Sequence, residues 1–355
     1  MNLVLAPEPA PWLQQLSWVL GPMEQGEVLA PWALPPLLKE WLPAPRRLRA
    51  AWGRRTIPVP QGFRVWGLPG WAAVEGGMRL AAPSAAATFR ARFALRKRVA
   101  QAAAALLPRS VETVIAPSLC AREVFAMARS RGARCVLVED LPSLRALHAD
   151  LDEAASRHPE EDFLRNHRAS AEDVARQEAE RLLADELWVR SEFCRERLLS
   201  AGHSSERIRE LSPPLEAAGS ARPAPRHRPE AQTQWVALLA GPALARGGLR
   251  EALAAVEARP QWSLWVRPAE GTDPQHLSHP RVRRVTEKEQ RALLGVDAVL
   301  APSWCESHPP ELARAVARGI PVIATDRASG FLPCQTVPRG NVPALVAELD
   351  ALSDR

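Results

Sequence analysis

Residues Leu293 to Asp326 read LLGVDAVLAPSWCESHPPELARAVARGIPVIATD. Val296 to Ala301 is a short, mostly apolar run closed by Pro302, and Ser303 to His308 is polar, which predicts a buried strand feeding a loop. From Pro310 to Arg318 the residues Leu312, Ala313, Ala315, Val316 and Ala317 recur at helical spacing, with Glu311 in the first turn and Gly319 as the C-terminal stop. Ile320 to Ala324 reads as a second buried strand. Strand, helix and strand make one right-handed βαβ unit, whose loop lies at the carboxyl end of a parallel sheet. Ligands of such sheets bind there, and the helix N-terminus favours anions.

Ala298 to Thr325 resembles the C-terminal donor-site signature of family-4 glycosyltransferases of the GT-B architecture. In that signature a strand ends in Pro-Ser, a Glu follows, a second Glu lies eight positions on, and a Gly-x-Pro-Val strand closes the unit. Pro302, Ser303, Glu306, Ala315, Gly319, Pro321, Val322 and Thr325 fall in register without a gap, while Arg314 stands where the second Glu is expected. The resemblance implies an α/β fold of two Rossmann-like parallel-sheet domains facing a central cleft. It also implies transfer of a sugar from a nucleotide sugar to a glycan or lipid-linked acceptor, as in polysaccharide biosynthesis. The reaction implied is of the retaining type, needs no metal and uses no cofactor beyond the nucleotide-sugar substrate.

A chain of 355 residues is too long for one ordinary core and suits two domains of roughly 100–200 residues each. No uninterrupted apolar run reaches the ~18 residues of a membrane span. The start, MNLVLAPEPAPW, lacks a basic n-region and is broken by prolines, so no signal peptide is expected and the predicted location is cytoplasmic. Five cysteines without a CxxC pair argue against both a disulfide framework and a structural metal site. Residues 1 to 100 hold 13 Lys or Arg against 5 Asp or Glu, which suggests an anionic partner for the N-terminal half. No nucleic-acid recognition motif accompanies that surplus, so a nucleic acid is not the expected partner.

Asn2 to Leu5 reads as the first strand, followed by Ala6 to Pro11 where the resembling family has a glycine-rich loop. Prolines give up amide donors, so a phosphate cradled by this loop is not expected. Thr56 to Val59 and Phe63 to Trp66 are strand-like. Thr88 to Leu107 reads as a helix with Arg90, Arg92, Arg96, Lys97 and Arg98 near its start. Two readings of that helix stay open: a solvated surface helix, or a basic amphipathic helix touching the inner face of an anionic membrane peripherally.

From Thr113 the βα rhythm is regular. Strands are predicted at 113–116, 134–139, 187–190 and 208–211, with helices at 121–131, about 171–183 and 192–201. Asp140 follows a parallel strand and is a candidate catalytic residue if it faces the cleft, with a cap or turn role as the alternative. Ser170 and Asp173 resemble a capping box. Residues 184 to 213 resemble the segment that ends the N-terminal domain of the same glycosyltransferases, so that domain is assigned 1–213. A Pro-rich linker, 214–233, and a C-terminal donor domain, 234–355, follow.

Donor-domain strands are predicted at 235–239, 262–266 and 281–285, with helices at 249–259, 287–294 and toward the C-terminus in 338–354. The resembling family carries an Arg and a Lys for the diphosphate in the loop after its first strand. Pro242 and Gly247 occupy those positions here, and Arg246, Arg267 and Arg314 are the substitute cations. The expected donor-binding set is Gly241, Arg246, Gly247, Arg267, Ser303, Ser307, His308, Pro309 and Arg314, with Glu306 as the residue that touches the transferred sugar. The catalytic His of some relatives has no counterpart read from the sequence. The altered positions Pro242, Gly247 and Arg314 also support an alternative, a catalytically degenerate GT-B protein that binds a sugar, a nucleotide or a partner subunit without transfer.

Overall fold

The structure, a computed structural model, describes residues 2–6, 26–30, 63–66, 85–161, 164–165, 168–211, 234–269, 271–305 and 307–354. The Thr56–Val59 strand, the 214–233 linker, most of the Ala6–Pro11 loop and Glu306 lie outside the described residues. Seven parallel strands, β1 (Asn2–Leu5), β2 (Gly26–Leu29), β3 (Phe63–Trp66), β4 (Thr113–Pro117), β5 (Arg134–Val138), β6 (Glu186–Val189) and β7 (Ile208–Glu210), form the first sheet. Their order is β3-β2-β1-β4-β5-β6-β7. The helices of this stretch are α1 (Ala85–Leu106), α2 (Arg122–Ser130), α3 (Leu144–Arg157), α4 (Ala171–Leu183) and α5 (Glu192–Ser200).

A second parallel sheet contains β8 (Trp235–Pro242), β9 (Trp262–Arg267), β10 (Val282–Arg284), β11 (Ala298–Ala301), β12 (Val322–Ala324) and β13 (Gln335–Thr336), in the order β10-β9-β8-β11-β12-β13. Its helices are α6 (Leu249–Glu257), α7 (Pro274–Leu277), α8 (Glu287–Ala292), α9 (Pro310–Ala317) and α10 (Val342–Ser353). Both sheets are doubly wound, and the strand order reverses beside β1 in one and beside β8 in the other. The predicted α/β class with two Rossmann-like sheets is what the chain forms.

The chain separates into two compact units: residues 1–144, 169–189 and 201–211, and residues 145–168, 190–200 and 212–355. Residues 145–168 and 190–200, which the sequence reading assigns to the N-terminal domain, cluster with the second sheet.

In the second sheet alternate residues of each strand feed opposite faces. Ala237, Leu239, Leu264, Leu300 and Ile323 pack with α6 and α10 on one side, and Val236, Leu238, Val299 and Val322 pack with α9 on the other. Both faces are covered, which is why these strands read as continuous apolar runs.

In the first unit α1 turns Phe93, Arg96, Val99, Ala100 and Ala103 inward and packs on α2. Arg90, Arg92 and Arg98 stay exposed, and Lys97 pairs with Glu172 on α4. Most of the apolar stripe of α1 is therefore core surface, although Leu106 near its end is 61% exposed. Among the described residues no helix is long and apolar enough to cross a membrane.

The N-cap of α2, Ala121, offers no side-chain acceptor. Glu180 of α4 supplies one from across the unit, accepting the amides of Leu119, Ala121 (2.9 Å) and Arg122 (3.0 Å) and pairing with Arg176 at 3.2 Å. The predicted capping box at Ser170 and Asp173 is present and starts α4.

Candidate functional site

Two loops leave the second sheet at its reversal point, one after β8 and one after β11, and their backbones interlock. After β8 the chain makes a short 3₁₀ turn, Ala245–Gly247, and enters α6 through Gly248, which is left-handed at φ +83°. After β11 the amide of Trp304 donates to the carbonyl of Arg246 (2.9 Å), and the hydroxyl of Ser303 lies 3.2 Å from that same oxygen. Ser303 is 4% exposed, and its hydroxyl is held between Arg246 O and Cys305 O, with the latter at 2.7 Å. Thr325, at the end of β12, donates to Ser303 O (2.7 Å). Ser303 and Thr325 thus fix the loop's course from inside.

A network of polar side chains joins the carboxyl ends of the strands. Gly241 donates its amide to Glu311 in the first turn of α9 (3.3 Å), and Arg314 donates to the other oxygen of that carboxylate (2.8 Å). Gln290 donates to Leu239 O (3.1 Å) and Gly241 O (2.7 Å) and accepts from Arg267 Nε at 2.7 Å. Both Glu311 and Gln290 are buried, so these links are sheltered from water. Burial pulls the Arg314 guanidinium below its usual value, against the opposing pull of Glu311. Arg314 Nε is buried without a hydrogen-bond partner.

The structure brings most of the predicted donor-binding residues to one edge of the second sheet. Gly241 is the next-to-last residue of β8, Arg246 and Gly247 lie in the 3₁₀ turn, and Arg267 ends β9 opposite Pro242. Ser307, His308 and Pro309 are partly exposed at the start of α9, where Pro309 is the N-cap and offers no side-chain acceptor. The first amides of α9 and its dipole face that edge, a setting that favours an anion. Arg314 sits one turn along and is already neutralised by Glu311. Asp140 is in the first unit, and both its oxygens are taken by Arg96, at 3.0 and 2.8 Å, with Arg96 also donating to Ser118 O. That pair is almost wholly buried, with side-chain exposures of 4% and 6%.

Glu311 and Gln290 are the two residues the sequence reading does not place in the site. In the sequence Glu311 is visible only as a first-turn acid, and its distance of three residues from Arg314 is the available signal. Gln290 stands on α8, and no local pattern ties it to the end of β8.

No protein-family model matches the chain, and no curated protein matches it in sequence. Solved structures do match over nearly its whole length. Anabaena HepE in complex with UDP and glucose shares 13% identity at a TM-score of 0.57, covering 100% of this chain and 90% of its own. Sucrose-phosphate synthase from Thermosynechococcus elongatus shares 13% at 0.56, covering 99% and 89%. The lipopolysaccharide outer core galactosyltransferase WaaB shares 14% at 0.54, covering 99% and 90%. The chain has the GT-B fold of these glycosyltransferases.

Proposed function

We propose that the chain is a glycosyltransferase that binds a nucleotide sugar at the carboxyl ends of β8 and β11 and moves the sugar to a glycan or lipid-linked acceptor. The observation that carries the reading is the interlocked loop pair, which places the uncapped start of α9 and the arginines Arg246 and Arg267 along the same sheet edge. A departing nucleoside diphosphate gathers charge on its phosphate oxygens, and fixed amides and guanidinium groups stabilise that charge most in the transition state. The described partner of Arg267 is the neutral amide of Gln290, so its positive charge remains available to a phosphate. Arg314, balanced by Glu311, is better suited to orienting the nucleotide through hydrogen bonds than to neutralising the diphosphate.

Retention of configuration, independence of metal and contact of Glu306 with the transferred sugar complete the proposal. They rest on the signature from Ala298 to Thr325. The HepE complex with UDP and glucose supports a uridine donor as the first to try.

Titration calorimetry of UDP, GDP, ADP and dTDP and their sugars against the wild type, Arg267→Ala and Glu306→Ala tests this. One nucleotide sugar is expected to bind, and Arg267→Ala to weaken it roughly 10- to 100-fold, matching the ~1.5–3 kcal/mol of a charge-assisted hydrogen bond. Glu306→Ala is expected to weaken the sugar nucleotide more than the bare nucleotide. A folded protein that binds none of them overturns the reading. Binding without turnover on any acceptor would favour the degenerate, non-transferring alternative.

A further inference from the structure

The loop after β11 is held on its far side by a buried set of charges that the donor site does not use. Asp150 on α3 is 4% exposed and accepts from Arg327 at 3.2 and 3.5 Å and from Arg339 at 2.6 Å. Each arginine reaches the loop. The carbonyl of Arg327 receives the amide of Ser307 (2.9 Å), and Arg339 Nη1 lies 3.4 Å from the carbonyl of Trp304. The guanidinium of Arg327 also lies over the ring of Phe193 on α5, 3.5 Å from its centroid.

Trp304 is fully buried, and its indole N–H donates to Glu251 on α6 (2.8 Å). The same Glu251 oxygen meets His158 Nε2 at 2.9 Å, and Arg157 lies over the indole at 5.1 Å. The space around the ring is filled, since a Cβ at Gly340 would come within 2.7 Å of the indole and of Arg157. Arg250 ties the following residues down by pairing with Glu160 and with Glu161 (2.7 Å).

These observations have one chemical sense. One buried carboxylate bridges two guanidinium groups, each of which also pairs with an outer acid, Arg327 with Asp326 and Arg339 with Glu153 (2.9 Å), and both arginine residues hold backbone atoms of the loop whose other side forms the proposed donor site. Removing the shared carboxylate would leave each guanidinium only its outer acid, so the two would be drawn apart toward Asp326 and Glu153 and the loop would lose both supports. Burial pushes the Asp150 carboxyl up, against the pull of Arg327 and Arg339, which marks how far the group is withdrawn from solvent.

We infer that Asp150 is a positioning residue: through Arg327 and Arg339 it fixes the loop backbone at Ser307 and Trp304, and with it the donor-side geometry of the proposed transferase. The inference rests on the proposed function for its effect on the donor, but not for its effect on the loop. Segment 145–168 is then a working part of the second unit, clamping the loop from α3 and from His158.

Amide hydrogen exchange on the whole chain without ligand tests the clamp, comparing wild type with Asp150→Asn. Asparagine keeps the shape and removes the charge. Exchange in peptides spanning 303–309 is expected to rise at least about tenfold, with the strands of the second sheet unchanged. Asp152→Asn, on the same helix but exposed and paired with Arg168, is expected to leave the loop at the wild-type rate. If Asp150→Asn fails to fold, Arg339→Gln removes one of the two supports from a side chain that is 20% exposed, and the same rise is expected.

Unchanged exchange at 303–309 in a folded variant overturns the inference. With a working donor assay, KM for the nucleotide sugar is expected to rise about tenfold while kcat changes less than about twofold. Equal losses in both would overturn the positioning role. A wild type that binds no nucleotide would remove the functional reading, and the exchange result would still decide the clamp.

Discussion

Gly248→Ala is expected to destabilise the second unit by about 3 kcal/mol or more, one of the largest effects of a single methyl in this chain. Two penalties act together. The residue is left-handed at φ +83°, a conformation that costs an L side chain about 1–2 kcal/mol. The added Cβ would also come within 2.6 Å of the carbonyl carbon and ring of Pro302, and closer still to its oxygen. Pro302 cannot yield easily, because the next residues are bonded to Arg246, Cys305 and Thr325. The loops after β8 and β11 must therefore part, and nucleotide binding should be lost with them. Gly247→Ala is the control: its Cβ would meet Pro242 O at 3.5 Å, an ordinary contact, and the effect should stay below about 1 kcal/mol. Urea unfolding of both variants reads the difference, and equal midpoints would show that the two loops are not pressed together.

Glu180 is expected to contribute a fall in stability as pH rises from 5.5 to 7.5, read as the difference in slope between wild type and Glu180→Gln. Burial pushes its carboxyl from 4.5 up to about 7, against the lowering pull of Arg176 and three backbone amides. A carboxyl raised in the folded state binds its proton more tightly there than in the unfolded chain. Its contribution is therefore fully present below about 4.5 and lost as pH rises through about 7. Across 5.5 to 7.5 this amounts to about 2 kcal/mol, since each tenfold difference in proton affinity between the two states is worth about 1.4 kcal/mol. Glu180→Gln keeps one oxygen for the amides of Ala121 and Arg122 and should flatten that slope, while Glu180→Ala leaves α2 without its acceptor and should cost about 3–5 kcal/mol. Urea unfolding at the two pH values checks both, and parallel slopes in wild type and Glu180→Gln would contradict this assignment.

The alternation of strands and helices from Thr113 onward is legible because each element carries its own stop. Gly132, Gly202 and Gly319 end helices, and Pro302 closes β11. Elements without such punctuation escape the sequence reading. The strand Gly26–Leu29 is four residues long and contains a glycine and a glutamate. Helix α3 is absent from the predicted elements, although Leu144, Leu147, Leu151 and Ala154 mark a buried stripe at helical spacing. That omission hides the clamp, because Asp150 lies on α3.

The site is legible in its backbone and not in its pairings. Parallel strands and their carboxyl ends follow from pattern, so Gly241, Arg246, Arg267 and Ser307 to Pro309 can be gathered on one edge. Partners from distant elements cannot. Arg96 belongs by sequence to a run of basic residues that suggests a solvent-facing surface, yet it shares a helical face with Phe93, Ala100 and Ala103 and so turns inward to Asp140, 44 residues away. Ser303 is expected from the signature to meet a ligand, and its hydroxyl is engaged with the loop that carries it.

Hydrogen exchange of the intact chain with UDP, GDP, ADP and dTDP added in turn at saturation reads the location of the donor site directly. At least one nucleotide should slow exchange in peptides covering 241–248 and 303–311 together, since the two loops share Arg246 O and form one surface. Protection confined to residues of the first unit, or none with any of the four, would mean that the reversal point of the second sheet does not hold the donor.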